Sequence, residues 1–208
     1  MRPDIKLNYI LTTPTGFDPA KESLPMIVFL HGAGERGNNI DSVKAHGVPK
    51  HFSADPDYRG LRVITLSPQC PDNVVWTCLP LEVMSLVKEK AAELNADPAR
   101  ISLTGLSMGG FGTWELGSLY PDFFCALGPV CGSGSPLNAH KLVKLPIWAF
   151  HGDLDDCVPC WRSSEMVNAV NKLGGNAQLT ICEGVWHNSW ENAYDKDDLI
   201  PWLAAQSR

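Results

Sequence analysis

The stretch GLSMGGFG, residues 105–112, sets one serine among four glycines just after a short apolar run. Gly105, Ser107 and Gly109 match the G-x-S-x-G pattern of a nucleophile elbow, a sharp turn between a strand and a helix that exposes a serine hydroxyl. The flanking letters ISLTG and FGTWELGSLYP predict that order of strand, turn and helix. The pattern therefore predicts Ser107 as a nucleophile.

Two other interpretations of this turn are available. Glycines also occur in tight packing turns that carry no chemistry. A phosphate-binding loop fits poorly, because no lysine follows Gly109 or Gly110 and the G-x-G-x-x-G spacing is absent.

A serine hydroxyl is a weak nucleophile, so it needs a histidine base that a carboxylate orients. Three histidines follow Ser107. His140 precedes every plausible acid, and His151, at a strand end in FHGD, is expected to satisfy local backbone groups. His187, in EGVWHNSW after the last strand, is the predicted base, in the chain order serine, acid, histidine.

The acid is expected in the loop HGDLDDCVP, which follows the apolar run PIWAF. Asp153, Asp155 and Asp156 all lie there, at the carboxyl end of the sheet where α/β sites form. Three carboxylates cannot all face one imidazole, and local chain geometry does not choose among them.

The tetrahedral intermediate of acyl transfer needs two N–H donors for its oxyanion. One is expected from Met108, directly after the serine, and the other from the loop HGAGERG after the run MIVFL. Ala33 is the predicted second donor, with Gly34 as the alternate, since glycines let this backbone come close to the substrate.

Short apolar runs alternate with amphipathic stretches along the chain, which favours an α/β fold with a mostly parallel central sheet and helices on both faces. Helices are expected over 80–95, from Ser163 to about 175, and over 197–206. Buried central strands are predicted over 26–30, 62–66, 101–105, 125–130, 146–150 and 177–182.

The 208 residues fit a single domain, 1–208, and no linker or repeat divides them. A formal charge of −6 with scattered basic residues argues against a nucleic-acid partner. No apolar run approaches the ~20 residues of a membrane helix, and MRPDIKLNYILTT lacks the pattern of a signal peptide. The expected setting is the cytoplasm, with no membrane partner.

Seven cysteines, an odd number, are expected to be mostly reduced and buried. Disulfides between Cys70 and Cys78, or between Cys157 and Cys160, remain open, because spacing alone does not establish bridge geometry. No metal site is expected at the C-x-x-C, since zinc needs about four suitably spaced ligands.

Taken together, FLHGAGERG, GLSMGGFGTWELGSLYPDFF, FHGDLDDCVP and GVWHNSW resemble the α/β-hydrolase superfamily, and within it the small carboxylesterases, acyl-protein thioesterases and feruloyl-esterase-like proteins. In that group the acid lies in a D-x-x-V-P pattern, which falls on Asp155 with Val158 and Pro159. The resemblance implies activity on carboxylic esters without a cofactor.

Segment 132–145 is too short for a cap of several helices, so an open cleft without a large lid is expected. Segment 35–52 is predicted to form one wall, with Glu35 and Arg36 either paired or solvated. Gly34, Trp76, Trp186 and Trp190 are candidates for the substrate pocket, although tryptophans also pack in cores, as is expected for Trp114.

These features predict a serine carboxylesterase that acts on a small ester, short-chain, aryl or feruloyl-type, through an acyl-enzyme. A thioesterase or peptidase could use the same three residues. A ligand-binding protein without catalysis could keep the same fold.

Overall fold

A computed structural model describes residues 5–208. The described chain contains a seven-stranded sheet in the order β1-β3-β2-β4-β5-β6-β7, in which β1 pairs antiparallel with β3 and every other pairing is parallel. The strands are β1 (Tyr9–Thr12), β2 (Met26–Leu30), β3 (Ile64–Pro68), β4 (Ile101–Leu106), β5 (Ala126–Val130), β6 (Ile147–Gly152) and β7 (Ala177–Cys182).

Successive side chains of the central strands point to opposite faces of the sheet and pack in two separate cores, one on each face. In β2, Val28 belongs to one core and Phe29 to the other. Residues of α2, α3 and α4 cover the first face, and residues of α1 and α5 cover the second. The helices are α1 (Gly47–Ala54), α2 (Pro80–Glu93), α3 (Met108–Leu119), α4 (Trp161–Lys172) and α5 (Leu199–Ala205).

The strand predictions are confirmed at β2 and β7 to the residue, and within two residues elsewhere. Strand β1 was not predicted, because it has only four residues, all half-buried, and its apolar run is limited to three of them. The expectation that 177–182 is a central strand is wrong. It forms the last strand in the sheet order, and four of its six residues are not buried.

Two helices differ from the prediction. Helix α4 begins at Trp161, not at Ser163, whose hydroxyl is buried and bonds to other elements. Helix α1 was not predicted, and its eight residues begin at Gly47, which has a φ of +63°.

The segment 132–145 contains one short 3₁₀ helix, Pro136–Lys141, and no large lid covers the sheet within residues 5–208. In the same range no helix has both the length and the apolar character that crossing a bilayer requires. The sequence considered for a signal peptide begins in residues 1–4, which lie outside the described residues.

All seven cysteines are free thiols in the structure, including the pairs Cys70 with Cys78 and Cys157 with Cys160. Four are buried, namely Cys70, Cys125, Cys131 and Cys182.

Candidate active site

Ser107 lies between the end of β4 and the start of α3 in a backbone conformation that L-residues rarely adopt, with φ +52° and ψ −117°. Its N–H donates to the carbonyl of Val130 at 2.9 Å, and its own carbonyl accepts from the N–H of Phe111 at 3.0 Å. These bonds hold the turn in a strained region that the surrounding structure must stabilise. Strain of this kind at an exposed side chain is typical of a nucleophile elbow.

The two flanking glycines are required by close backbone approach. A Cβ at Gly105 would lie 2.5 Å from the carbonyl oxygen of Gly109, and one at Gly109 would overlap the carbonyl of Leu30. The helix that carries the serine therefore packs directly against the end of β2.

The side chains of Ser107, His187 and Asp155 form one hydrogen-bonded chain. The Ser107 hydroxyl lies 2.8 Å from Nε2 of His187, and Nδ1 of His187 lies 2.7 Å from Oδ2 of Asp155. A histidine whose Nδ1–H donates to a carboxylate presents Nε2 as an acceptor for the serine proton. The arrangement can move a proton from the hydroxyl to the imidazole.

Asp155 is held from two directions. Its Oδ1 accepts from the backbone N–H groups of Cys157 at 2.9 Å and Val158 at 2.8 Å. Burial acts to raise the pKa of the Asp155 carboxyl, but the hydrogen bonds from His187 and from the backbone outweigh it, so the pKa lies below its ordinary value. The carboxylate is therefore ionised at neutral pH although its side chain is fully buried.

The other two aspartates of the loop point elsewhere. Asp153 accepts from the backbone N–H of Val185 at 3.3 Å, and Asp156 is exposed beside the Cys157 thiol. The structure thus brings His187 to the aspartate that the family pattern favours and to neither of the others.

His151 makes a contact with the site that sequence reasoning missed. Its Nε2 lies 2.7 Å from the carbonyl oxygen of Val158, as the expectation of a backbone partner requires, and also 3.1 Å from Oδ2 of Asp155. Its Nδ1 lies 2.7 Å from the Ser163 hydroxyl. Burial lowers the pKa of His151, so the ring is neutral, and two acceptors at Nε2 assign its proton to that nitrogen. Asp155 Oδ2 therefore lies within 3.1 Å of a ring nitrogen of each of two histidines, His187 and His151.

The predicted oxyanion donors lie beside the serine. Ala33 and Met108 line the same cleft as Ser107, and neither N–H bonds to another residue in the described part of the chain. Ala33 begins a short 3₁₀ turn, Ala33–Glu35, and Met108 begins α3. Gly34, the alternate donor, is exposed and does not line the cleft.

His31 fixes the loop that carries Ala33. Its Nδ1 donates to the carbonyl of Gly32 at 2.6 Å, and its Nε2 accepts from the N–H of Cys70 at 2.9 Å. Burial lowers the pKa of His31 to about 4, with a smaller effect of the Arg36 charge in the same direction. The ring is neutral at pH 7, which these two bonds require.

A cleft of about 410 Å³ opens on the other side of Ser107. It is mostly apolar, and Val75, Thr77 and Phe111 contribute side chains that sequence reasoning did not select. The lining residues are Ala33, Arg36, Val75, Thr77, Ser107, Met108 and Phe111.

The assignment of Trp76 to the pocket is wrong. Its side chain is fully buried in the core, and its Nε1–H donates to the carbonyl of His31 at 2.9 Å. A tryptophan between two cleft residues, Val75 and Thr77, faces inward because the chain there forms a 3₁₀ turn, Trp76–Cys78. The expectation that Trp114 packs in the core is confirmed.

The other two tryptophans predicted for the pocket, Trp186 and Trp190, lie near His187 and outside this cleft. Trp186 is 56% exposed, and Trp190 contacts the imidazole edge-on, with ring centroids 5.5 Å apart. Trp190 also packs against His46, with ring centroids 5.3 Å apart. Through His46, segment 35–52 therefore contacts a neighbour of His187. Of that segment only Arg36 lines the cleft, so most of the predicted wall lies elsewhere.

The ligand atoms of Cys131, Asp155 and His187 lie within 4.8 Å of one another, a spacing that could hold a metal ion. Asp155 and His187 are, however, already bonded to each other, and His187 is also bonded to Ser107. Burial raises the pKa of Cys131 far above its ordinary value, which favours the thiol over the thiolate that binds metals. The group fits a hydrogen-bonded site better than a metal centre.

Solved structures that this chain resembles include esterases. A solved structure described as a thermostable esterase superposes with a TM-score of 0.88 at 34% identity, over 97% of this chain and 60% of that one. A mutant of the feruloyl esterase module from Clostridium thermocellum, in complex with sinapinate, gives a TM-score of 0.72 at 17% identity, over 98% and 90% of the two chains.

Among curated proteins, poly(3-hydroxyalkanoate) depolymerase C from Paucimonas lemoignei is 36% identical over 109 residues. The matched part is 52% of this chain and 25% of the depolymerase, so the chain spans only part of the length of that relative. No family model matches the chain.

Proposed function

We propose that this chain, which has the α/β-hydrolase fold, is a serine carboxylesterase that works through an acyl-enzyme. The observation that carries the proposal is the hydrogen-bonded chain from Ser107 through His187 to Asp155, with steps of 2.8 and 2.7 Å. In this proposal residues 1–208 form a single domain, and its substrate is a small-molecule ester.

In the first half of the reaction, the Ser107 oxygen forms a bond to the ester carbonyl carbon while its proton passes to Nε2 of His187. The negative charge on the carbonyl oxygen is stabilised by the N–H groups of Met108 and Ala33. When the tetrahedral intermediate collapses, the bond to the alcohol oxygen breaks, and that oxygen takes the proton from His187. An acyl-enzyme on Ser107 remains.

Water completes the cycle. His187 removes a proton from water as its oxygen attacks the acyl carbon, and then returns that proton to Ser107 as the acid product leaves. Asp155 stays ionised throughout and stabilises the imidazolium that forms twice in each turnover.

Replacement of Ser107 tests the proposal most directly. Ser107→Ala is expected to lower kcat for 4-nitrophenyl acetate by about 10⁴-fold or more, because the nucleophile and the proton acceptor act as a unit. Ser53→Ala, which changes an exposed serine of α1, is the matched control. A fluorophosphonate is expected to label wild type at Ser107 and to leave the alanine variant unlabelled.

Retained turnover in Ser107→Ala would overturn the assignment of the nucleophile. Absence of fluorophosphonate labelling in folded wild type would favour a binding protein that lacks catalysis. Ester, thioester and peptide versions of one acyl group separate the three hydrolases that this chemistry allows.

The ester panel follows from the compared proteins. A sinapoyl or feruloyl ester represents the aryl class, and a short oligomer of 3-hydroxybutyrate represents the class that the depolymerase acts on. The highest kcat/KM among these and the acetyl to long-chain esters identifies the acyl preference.

A further inference from the structure

Arg36 is the charged residue of the cleft beside Ser107. The other residues that line this cleft, Ala33, Val75, Thr77, Met108 and Phe111 with Ser107 itself, carry no charge. As a whole residue the arginine is half-buried, and its side chain reaches the cleft.

Only part of this guanidinium is engaged by the protein. Its Nε–H donates to the carbonyl of Ala33 at 3.0 Å, and one N–H of Nη1 lies 3.4 Å from the carbonyl of Val74. A guanidinium has five N–H donors, and three of them make no hydrogen bond to any residue within 5–208.

No carboxylate of the described chain forms an ion pair with Arg36. Glu35, its neighbour in sequence, faces away, with its two oxygens 3.8 Å from Nδ1 of His31 and 4.0 Å from Nε2 of His46. Of the two alternatives for Glu35 and Arg36, a charge pair or solvated side chains, the structure does not show the pair. An arginine that lines a cleft without a carboxylate partner can bind an anion there.

We propose that Arg36 binds an anionic group of the substrate, so that the ester hydrolysed at Ser107 carries a carboxylate in its acyl or its alcohol part. This inference rests on the proposed esterase function and narrows its substrate class. The free N–H groups of Nη1 and Nη2 match the two oxygens of a carboxylate. Because Arg36 is also bonded to the carbonyl of Ala33, a bound carboxylate would tie the substrate to the loop that supplies an oxyanion donor.

Two pairs of esters, each differing in one charge, test the proposal. In the first, the acyl part varies between 4-nitrophenyl hydrogen adipate and neutral 4-nitrophenyl hexanoate. In the second, the alcohol part varies between 4-acetoxybenzoate and neutral 4-acetoxybenzamide. The measured quantity is the ratio of kcat/KM for the anionic ester to that for its neutral partner, since damage to the loop lowers both terms of the ratio.

In wild type the ratio is expected to exceed one for at least one pair. Arg36→Gln is expected to lower that ratio about tenfold, and Arg36→Lys by less, because the charge remains while the planar fork is lost. The ratio in wild type is also expected to fall as NaCl rises from 50 to 500 mM. Arg162→Gln removes the same charge from an exposed arginine outside the cleft and is expected to leave the ratio within twofold.

An equal ratio in wild type and Arg36→Gln for both pairs would overturn this inference while the esterase function stands. Loss of the function itself would appear differently, as turnover that survives Ser107→Ala. If no ester is turned over, binding tests the role of Arg36 instead. The shift in melting temperature is measured with 4-hydroxybenzoate and with 4-hydroxybenzamide. Identical shifts in wild type and Arg36→Gln would refute the role of Arg36, and a preference for the anion only in wild type would support it.

Discussion

The two sides of Ser107 are built on different principles. On the acid–base side, polar atoms of His187, Asp155, His151 and the loop backbone converge on one buried carboxylate, with contacts of 2.7 to 3.1 Å. On the cleft side, two loops, the turn at Ser107 and the start of α3 surround an open and largely apolar space that contains one charge. In the proposed function the first side carries out the reaction, and the second selects the molecule that undergoes it.

We therefore expect substitutions on the two sides of Ser107 to have different effects. A change on the acid–base side leaves a buried polar group without its partner, which is costly, and alters the chemistry directly. A change on the cleft side alters contacts that water can partly replace.

Asp155→Asn is expected to lower kcat by about 10⁴-fold with little change in KM, because an amide facing Nδ1 of His187 favours the wrong tautomer of the ring. Steady-state kinetics with 4-nitrophenyl acetate measures this. Asp156→Asn, one residue away and exposed, is the matched control and is expected to stay within a few fold. Equal losses in the two variants would contradict the assignment of the acid.

The second prediction concerns His31, which supports the cleft side and is 1% exposed. Its pKa is lowered from 6.5 to about 4, mainly by burial. Between these values the unfolded chain binds more protons than the folded one, so this contribution to stability is complete above pH 6.5 and is lost as the pH falls towards 4. The free energy of unfolding is expected to drop by on the order of 3 kcal/mol from this group.

Urea unfolding at pH 7, 6, 5 and 4 measures that drop. His31→Gln is expected to be less stable at pH 7 and to lose the His31 part of the pH dependence between 6.5 and 4. His151, whose pKa burial also lowers, keeps its own contribution below pH 6.5 in the variant. The depressed pKa of the Asp155 and Asp195 carboxyls acts in the same direction, but below their ordinary value of 3.8. An unchanged slope in the variant would show that His31 titrates normally in the folded protein.

His151→Phe carries the smallest expected effect and sharpens the contrast within the acid–base side. Loss of its N–H to Asp155 leaves the carboxylate with His187 and two backbone donors, so kcat is expected to fall about tenfold while KM changes little. The acidic limb of the pH profile of kcat/KM is expected to move, since the carboxylate that faces His187 becomes more basic. His140→Phe, at an exposed histidine, is the control and should alter neither quantity.

A fall in stability without any movement of the pH profile would reduce His151 to a packing residue. Rescue of kcat in His151→Gln, which can still donate an N–H, would support its action through Asp155.

The parts of this site that could be predicted from sequence are those set by local chain rules. The glycines around Ser107 are needed by the sharp turn from β4 to α3, and His187 follows from the order of the strands. Asp155 could be selected only through the resemblance to a family, because three aspartates in one loop have the same local signal. The structure separates them by which backbone N–H groups each one meets.

Contacts between distant segments could not be predicted in this way. The local sequence around Trp76 does not predict whether the ring faces the cleft or the carbonyl of His31, which is 45 residues away in the chain. The contact of His151 with Asp155 needs the exact path of the loop after β6. The unpaired state of Arg36 depends on where Glu35 turns, and a sequence shows only that the two are neighbours.

The contact of Gly109 with the end of β2 has one more consequence. A side chain there would collide with the carbonyls of both Leu30 and His31, so the start of α3 and the loop after β2 are held together by the packing of the sheet. In the proposed function these two stretches supply the N–H groups of Met108 and Ala33 to the oxyanion, and their separation depends on strand packing and not on the residues that line the cleft. The cleft residues, and with them the proposed ester preference, can therefore vary between related chains while the spacing of the two donors is kept.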